Sequence, residues 1–381
     1  GDSMENDQKD DSLTGNLDDD NSPGNYAPDV DSENTEDVSE LEGGNAEPVE
    51  TDGDGSVVFE SDLLKEAVLK NLPAGTVITK DTLSKVRSIR IIGKNCFGYE
   101  SEIWSYKDMV FVDGSAYPNS DVGDVTDLSL IAAMDNLEEL YLANQNLKDI
   151  SALAGCPVET LFLNGNQIED FSVLETMPNL RNLYIGNNPI SEIPNLSKCK
   201  KLRMLNLDHL FVNDIKPLAK LNLYELEMLD IRVLDNDYSP LKEMPAMYRL
   251  TVGDPESGMV DVVGELTSIT DLSLDSWPED NIEKILGMTK LEVFSVSSEY
   301  LGDIHGIEKL SNMKRLYLDG STRITDVSGI EKLNYLQEFS TNSSMIVDVT
   351  PICSLSDNVT MIRLSNAVAD KVLEKRPDYK A

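Results

Sequence analysis

The sequence has few of the residues on which catalytic, redox and membrane-spanning proteins depend. Its 381 residues include two His, two Trp and four Cys, and 32 Lys or Arg stand against 69 Asp or Glu. Four irregularly spaced cysteines do not predict a disulfide scaffold. No apolar run is long enough to span a bilayer, and no signal peptide is recognised. So acidic a chain is a poor partner for nucleic acid or an anionic membrane surface.

The sequence also lacks a recognisable catalytic or metal-binding constellation. His305 falls in a predicted return segment, and His209 follows Asp208 on a strand where neighbours point to opposite sides. No serine elbow, phosphate-binding glycine loop or metal-ligand spacing occurs. The stretch DGDGSVVFESD lacks a calcium loop's sixth-position glycine (Val57) and twelfth-position glutamate (Leu63). We therefore predict no enzymatic activity, no cofactor and no metal site.

The acidic residues are concentrated at the start of the chain. Residues 1 to about 55 hold nineteen Asp or Glu against the single Lys9 and almost no large apolar side chains. Such a segment buries too little surface to offset the entropy of ordering. We expect residues 1–56 to form a disordered, self-repelling acidic leader that serves as a tether.

A repeated phrase begins after this leader and is clearest from Leu137 to Ile193. The phrase is a leucine, two variable residues, Leu-x-Leu, two more residues and an amide. Its three clearest copies are centred on Leu140-Tyr141-Leu142, Leu161-Phe162-Leu163 and Leu183-Tyr184-Ile185, with Gln145, Asn166 and Asn188 in the amide position. A period of about 22 residues is that of leucine-rich repeats. The sequence therefore predicts an α/β leucine-rich-repeat solenoid with a curved, parallel concave sheet.

The repeat can be followed through most of the chain. We place strand centres at Ile89, Val110, Leu140, Leu161, Leu183, Leu205, Leu229, Leu250, Leu272, Phe294, Leu316, Phe339 and Ile362, which gives about 13 coils over residues 88–365. An irregular loop of about eight extra residues is expected within Asp113–Gly123. The convex return segments should form short 3₁₀ or single-turn helices.

Caps and core positions follow from the same pattern. Residues 57–87 predict a helical N-terminal cap with Ser61 and Thr79 as N-caps, and residues 366–381 predict a C-terminal cap beginning at Asn366. Cys156, Cys199 and Cys353 occupy buried repeat positions and are expected to be free thiols; Cys96 is not assigned. The amide position loses its amides after Asn188, so later coils must satisfy their backbone groups in another way.

Residues 57–381 resemble the internalin-like leucine-rich-repeat proteins of Gram-positive bacteria. The resemblance rests on the helical cap followed by ITKDTLSKV and on the phrase LxxLxLxxNxIxDI, whose clearest copy runs from Val158 to Phe171. It implies display on the cell surface and a concave sheet that binds proteins. The acidic leader is similar to the spacer that follows a lipid-anchored cysteine in surface lipoproteins, so we expect membrane attachment only through a removed N-terminal lipid anchor.

Strand alternation identifies the side chains that face a partner. The middle residue of each Leu-x-Leu points out of the concave face, and in four successive predicted coils it is aromatic: Phe111, Tyr141, Phe162 and Tyr184. One interpretation is an exposed aromatic ribbon that anchors a partner, with a charged rim formed by Glu139, Glu159, Arg181 and Arg203. The other is that the rings only pack against one another, or that the insertion around Tyr117 folds over them.

A second column lies three residues past the strand centres and contains Asp113, Asn164, Asp208, Asp275 and Asp319. These residues favour either a basic partner or a calcium ion bridging the coils, or else they form a solvated acidic face that maintains solubility.

Three functions remain open from the sequence. The first is a non-enzymatic cell-surface module, expected to be a monomer, that binds a protein of a host or neighbouring cell through its concave face. Such binding should depend on salt because of the charged rim. The second is a surface protein that binds a carbohydrate or cell-wall fragment, because stacked tyrosines also suit sugar faces. The third is an intracellular interaction scaffold, which fits the free thiols.

Overall fold

The structure, a computed structural model, describes residues 49–106, 109–244 and 246–378. Most of the predicted acidic leader lies outside these residues. In chain order the strands are β1 (Ser88–Ile92), β2 (Asn95–Cys96), β3 (Ile103–Tyr106), β4 (Met109–Val112), β5 (Ser115–Pro118), β6 (Glu139–Ala143), β7 (Thr160–Phe162), β8 (Asn182–Tyr184), β9 (Met204–Asn206), β10 (Phe211–Val212), β11 (Glu225–Leu229), β12 (Arg232–Val233), β13 (Arg249–Gly253), β14 (Asp271–Asp275), β15 (Val293–Ser297), β16 (Arg315–Tyr317), β17 (Glu338–Thr341) and β18 (Met361–Leu364).

One large sheet dominates the described part of the chain. It has thirteen strands in the order β2-β1-β6-β7-β8-β9-β11-β13-β14-β15-β16-β17-β18. All neighbours in this sheet are parallel except β2, which turns back antiparallel against β1 at the edge. The parallel strands therefore number twelve, one per coil, and the fold is the predicted leucine-rich-repeat solenoid.

Helices cover both ends of the solenoid. The α-helices are α1 (Asp62–Lys70), α2 (Lys80–Leu83), α3 (Ser257–Val263), α4 (Thr350–Cys353) and α5 (Asn366–Lys375). Ser61 and Thr79 are the N-caps of α1 and α2, as predicted, and the Ser61 hydroxyl accepts a hydrogen bond from the Leu64 N–H at 3.2 Å. Helix α5 begins one residue from the predicted cap, since its N-cap is Ser365 rather than Asn366.

Most return segments on the convex side contain short 3₁₀ helices, as their prolines and glycines predicted, and α3 and α4 take this place after β13 and β17. In the described residues the 3₁₀ helices are Ile131–Ala133, Ser151–Leu153, Ser172–Thr176, Lys216–Lys220, Ser239–Glu243, Glu283–Ile285, Ile307–Lys309 and Ile330–Lys332. Between them and the sheet, the apolar residues of the repeats and caps form a continuous buried core from Val57 to Val372. No helix in residues 49–106, 109–244 and 246–378 is long and apolar enough to cross a membrane.

The cysteines are free thiols, as expected. Cys156 and Cys199 are buried, whereas Cys353 is partly buried against the core. Burial raises the pKa of Cys156 and Cys199 to about 11, so both stay protonated and unreactive near neutral pH. Cys96 lies at the sheet edge, where its thiol approaches the carbonyl oxygen of Leu63 at 3.2 Å.

The predicted strand centre at Val110 is wrong, and with it the thirteenth coil. Strand β1 pairs directly with β6, with Ile89 beside Leu140. Val110 instead belongs to a separate antiparallel sheet of β3, β4 and β5, which we call the meander. The 21-residue spacing from Ile89 to Val110 matches the repeat period by coincidence, and the predicted irregular loop is the second half of this meander.

One side chain forms hydrogen bonds to the chain on both sides of the meander. The Gln145 side-chain amide donates from Nε2 to the Gly93 carbonyl at 2.7 Å, and its Oε1 accepts from the Val125 N–H at 3.1 Å. A glutamine reaches further than an asparagine, so it can contact the chain on both sides of the excursion. The repeat therefore continues across the meander without a break in register.

A second correction concerns the sixth coil. Its strand centre is Leu226, which lies between Leu205 and Leu250, and not Leu229. The segment LNLYELEMLDI contains several leucines, but Leu223-x-x-Leu226-x-Met228 matches the apolar positions of the repeat phrase. The residue that this coil presents on the concave face is therefore Glu227 instead of Asp230.

Candidate functional site

Three aromatic residues form a column on the concave face of adjacent strands. Tyr141, Phe162 and Tyr184 lie in register on β6, β7 and β8. Their rings are stacked, with centroids 5.3 Å apart for Tyr141 and Phe162 and 4.7 Å apart for Phe162 and Tyr184. The predicted stacking of these three residues is confirmed.

Phe111, the fourth residue of the predicted ribbon, is not part of the column. It lies on β4 of the meander and faces Trp104 of β3. The two rings are parallel, with centroids 4.0 Å apart and an interplanar angle of 5°. The prediction was wrong here because Phe111 was assigned to a coil that does not exist.

The meander covers the aromatic column, so the predicted exposed ribbon is also wrong. Phe162 is 0% exposed and Tyr184 is 7% exposed. The rings form a second apolar core with Val110 and Val112 of β4, and Ile103 and Tyr117 pack at its margin. A bare column of rings would expose a large apolar surface to water, and burying each such side chain favours folding by roughly 1.5–3 kcal/mol. The alternative interpretation, in which the insertion around Tyr117 folds over the rings, describes the structure.

Tyr141 lies at the open end of the covered column. It is partly buried, and burial followed by the charge of Glu139 raises the pKa of its hydroxyl to about 12. The Arg90 guanidinium lies 5.0 Å from the centroid of its ring and 5.4 Å from that of Tyr99, which is a cation–π geometry. Arg90 thus joins the first coils of the sheet to the segment that leads into the meander.

The four residues of the predicted rim are engaged within the molecule. Glu139 forms an ion pair with Arg90 at 2.7 Å, and Glu159 pairs with Arg181 of the next coil at 3.2 Å. The Arg203 guanidinium lies 5.1 Å from the centroid of the Tyr224 ring and donates to the Leu202 carbonyl at 2.8 Å. Glu159 and Arg181 are half exposed, and such exposed pairs contribute about 0–1 kcal/mol to stability.

The second column is buried where the meander crosses it. Asn164 and Asp208 are almost fully buried, so the expected solvated acidic face does not exist at these positions. Ser105 of β3 contacts this layer, because its hydroxyl lies 3.2 Å from the Asn164 side-chain nitrogen. Asp113 is not in the column at all, since it forms the turn between β4 and β5.

Asp208 and Glu227 form a carboxylate pair beneath the meander. The side-chain nitrogen of Asn206 donates to both carboxylates, each at 2.7 Å, and Asp208 also accepts from the Leu229 N–H at 2.7 Å. Burial, followed by mutual repulsion, raises the pKa of Asp208 well above its usual range, and burial raises the pKa of Glu227 to about 7. The pair therefore tends to retain a proton under mildly acidic conditions.

The meander presents its opposite surface outward on the concave side. Because strand side chains alternate, the residues that do not face the column form what we call the outer face: Trp104, Tyr106, Met109, Phe111, Ala116 and Pro118. The Tyr106 hydroxyl donates to the Asp275 carboxylate at 3.1 Å. The β3–β4 hairpin therefore extends from the first coils to β14.

The histidines do not complete a catalytic arrangement. The Nδ1 atom of His209 lies 3.6 Å from the Asp230 carboxylate, and the backbone N–H of His305 donates to the Asp303 side chain on the convex side. Within the described ranges, no three His, Cys, Asp or Glu side chains are placed to hold a metal ion.

The sequence contained a signal for the meander that our repeat assignment overrode. In the sequence the runs IWSY, MVFV and SAYP are separated by the residue pairs Lys107-Asp108 and Asp113-Gly114. Asp113 and Gly114 both have positive φ angles, 50° and 77°, as a type I′ hairpin turn requires. An Asp-Gly pair between alternating apolar residues predicts a hairpin. It would have placed Phe111 beside Ala116 in an antiparallel pair rather than in a repeat strand.

Comparisons with known proteins agree with this architecture. A family profile described as Leucine Rich repeats, two copies, matches residues 158–198 and 178–220. No curated protein sequence matches the chain significantly. The crystal structure of an internalin, InlF, from Listeria monocytogenes matches with a TM-score of 0.52 and 22% identity, over 81% of this chain and 90% of that chain.

Two further structures match less closely. The functional domain of InlJ from Listeria monocytogenes is 14% identical, over 81% of this chain and 70% of that one, with a TM-score of 0.39. A leucine-rich-repeat protein from Leptospira interrogans is 18% identical, over 66% of this chain and 67% of that one, with a TM-score of 0.40. The twelve parallel strands, the repeat profile and the likeness to InlF together establish that the chain is a leucine-rich-repeat protein with an internalin-like fold.

Proposed function

We propose that this chain is a non-enzymatic cell-surface module that binds a protein of a host or neighbouring cell through the concave side of its solenoid. One observation carries the proposal. A long excursion from the repeat lies within the concavity, supported from beneath by a buried aromatic core. Loops held on a rigid scaffold are the usual carriers of recognition, and the resemblance to internalin-like proteins implies the same use of the concave side.

The concave side offers two surfaces to such a partner. In the N-terminal half it is the outer face of the meander, which includes Phe111 from the predicted ribbon. Further along, the strands themselves present Thr251, Ser273 and Ser295, all partly exposed. Tyr141, Phe162 and Tyr184 contribute by supporting the meander rather than by contact, and Glu159 and Arg181 lie on the rim where a partner would pass.

A glycan is the second candidate ligand, and a separate feature favours it. A surface depression of about 400 Å³ is lined by Asn334, Tyr335, Gln337, Asn358 and Thr360. Tyr335 is 62% exposed. An exposed aromatic ring beside several amides offers stacking and hydrogen-bonding groups that suit a sugar.

Binding of the full chain to intact epithelial cells distinguishes these functions. The cells are tested untreated, after trypsin and after glycosidase treatment. We expect saturable binding that trypsin abolishes and glycosidase does not. Ser273→Arg, which places a long charged side chain on the concave face, should weaken binding, whereas the matched convex change His305→Arg should not. Loss of binding after glycosidase, together with loss in Tyr335→Ser, would support the glycan instead. Equal binding by Ser273→Arg, by Trp104→Ser/Phe111→Ser on the meander and by the wild-type chain would overturn the concave-side proposal.

A further inference from the structure

The outer face of the meander is an aromatic surface that the fold does not use for packing. The inner face of the same strands supplies the buried residues Val110 and Val112. Trp104 and Phe111, by contrast, are only partly buried, and Tyr106 and Met109 are 37% and 39% exposed. Apart from their mutual stacking, the outer rings contribute little to the buried core.

This surface is also held in a fixed position. The meander rests on the stacked rings of Phe162 and Tyr184, Ser105 contacts Asn164, and Tyr106 contacts Asp275. Large aromatic side chains on a preorganised support are the usual anchors of protein interfaces, because little conformational entropy is lost when a partner binds them.

The chemistry around the anchors is acidic. From Tyr99 to Asp124 the sequence carries six Asp or Glu residues and one Lys. Glu100, Glu102 and Asp113 are exposed on the meander and on the segment that leads into it. On the neighbouring sheet the cation Arg249 is already paired with Glu225 and Asp271, at 3.4 and 3.0 Å. An incoming group therefore meets aromatic rings bordered by negative charge.

We propose that the outer face docks a protein segment that carries Lys or Arg next to an apolar side chain. The apolar side chain packs against Trp104 and Phe111, and the cation is placed over an aromatic ring and near Glu100 or Glu102. This inference rests on the proposed concave-side function and specifies its site and the chemistry of the partner.

Selection of random peptides displayed on phage, with the full chain as the target, tests the inference. We expect enrichment of peptides that combine Lys or Arg with apolar residues. For the selected peptides, the dissociation constant should rise at least about tenfold in the variant Trp104→Ser/Phe111→Ser. It should also rise as NaCl is increased, because the charges are close to the surface. Tyr335→Ser removes a more exposed aromatic residue elsewhere, 62% exposed, and should have no effect.

A second variant tests the same surface in case the first variant misfolds. Glu100→Lys/Glu102→Lys keeps both rings and reverses two charges, so it should also weaken binding of the basic peptides. Peptides that bind Trp104→Ser/Phe111→Ser and the wild-type chain equally would overturn the inference. If those same peptides no longer bound Ser273→Arg, binding on the concave side would be supported, and only its assignment to the meander would be wrong. Enrichment of acidic or neutral peptides, or no enrichment at all, would also overturn the inference.

Discussion

The early and late coils of this solenoid satisfy their buried backbone groups with different side chains. In the early coils, Asn166 donates to the carbonyls of Leu142 and Leu163 at 2.7 and 2.8 Å and accepts from the N–H groups of Gln145 and Leu147 at 2.9 and 3.1 Å. One amide thus satisfies four backbone groups of two coils. Since each buried backbone group needs a partner, the amide makes the turn from strand to return segment rigid.

The late coils use serine hydroxyls in the corresponding place. Ser298 accepts from the N–H groups of Tyr300 and Leu301, both at 3.0 Å. Ser321 donates to the Val296 carbonyl at 3.1 Å, and Ser343 lies within hydrogen-bonding distance of two carbonyls. A hydroxyl has only one proton to donate. The same backbone geometry therefore tolerates a less complete set of hydrogen bonds.

The concave faces of the two halves differ in a related way. The aromatic column of β6, β7 and β8 is apolar and has to be covered, and the meander covers it. At the equivalent positions of β14 and β15 the residues are Ser273 and Ser295, which can remain in contact with water. The identity of one residue per strand thus determines whether the sheet needs a second layer.

Of the changes that test this comparison, removal of the meander should lower the free energy of unfolding most. Residues 94–122 can be replaced by a short Gly-Ser linker, because an added Cβ on Gly123 would lie 2.2 Å from the Gly93 carbonyl oxygen. We expect the free energy of unfolding to fall by about 3–5 kcal/mol, since the buried contacts of Val110 and Val112 are removed with the segment and the rings become exposed. Urea denaturation measures this change, and increased binding of a hydrophobic dye reports the exposed rings. A stable variant with no increase in dye binding would contradict the covering role.

The two kinds of hydrogen-bonding ladder can be compared by single substitutions. Asn166→Ala removes hydrogen bonds to four buried backbone groups, although the Leu163 carbonyl keeps one from the Asn188 side chain at 3.0 Å. It should lower the free energy of unfolding by about 3 kcal/mol. Ser321→Ala leaves one carbonyl unsatisfied and should cost about 1 kcal/mol. Both values come from chemical denaturation with fluorescence detection. Equal losses would show that the ladders are equivalent, despite the different numbers of hydrogen bonds.

A smaller effect than that of Asn166→Ala is expected from the pH dependence of the carboxylate pair. The pKa values of Asp208 and Glu227 are raised in the folded chain, the latter to about 7. The folded state therefore binds more protons than the unfolded state, and the free energy of unfolding should fall by about 1–2 kcal/mol between pH 5 and pH 7. Glu225, Asp230 and Arg249 are the charged neighbours of the pair.

Glu227→Gln should flatten this pH profile, because the variant has no second carboxylate to ionise. The matched control is Asp149→Asn on the convex side, where hydrogen bonds from Ser151 lower the pKa of the carboxylate and its titration falls below this window. Thermal melting at each pH measures the effect. If stability depended on pH equally steeply in Glu227→Gln and in the wild-type chain, the carboxylate pair would not be the cause of that dependence.

The repeat fold could be predicted from the sequence because it depends on a local, periodic pattern. Leucines at fixed positions predicted the parallel strands, and Gln145, Asn166 and Asn188 predicted the amide ladder. Hydroxyls could not be assigned in the late coils, because Ser298 and Ser343 lie one residue before the position of the amide. Leu229 was chosen over Leu226 because a leucine-rich segment fits the period in more than one register.

The candidate site was harder to predict because it depends on contacts between distant segments. Strand alternation placed Tyr141, Phe162 and Tyr184 correctly on the concave face. It could not tell whether another segment lies over them, since packing against Val110 and Val112 is a tertiary contact. The Asp113-Gly114 turn was the one local signal of that segment, and the repeat period hid it.

The side-chain amide of Gln145 has a consequence for protein engineering. It joins the two ends of the meander by hydrogen bonds to Gly93 and Val125, so the coils on either side are in register whatever lies between them. The solenoid therefore has a defined insertion point between Gly93 and Val125, on its concave side. A hairpin of different sequence could be inserted there with the repeats left unaltered, provided that its inner face supplies apolar side chains to cover Phe162 and Tyr184.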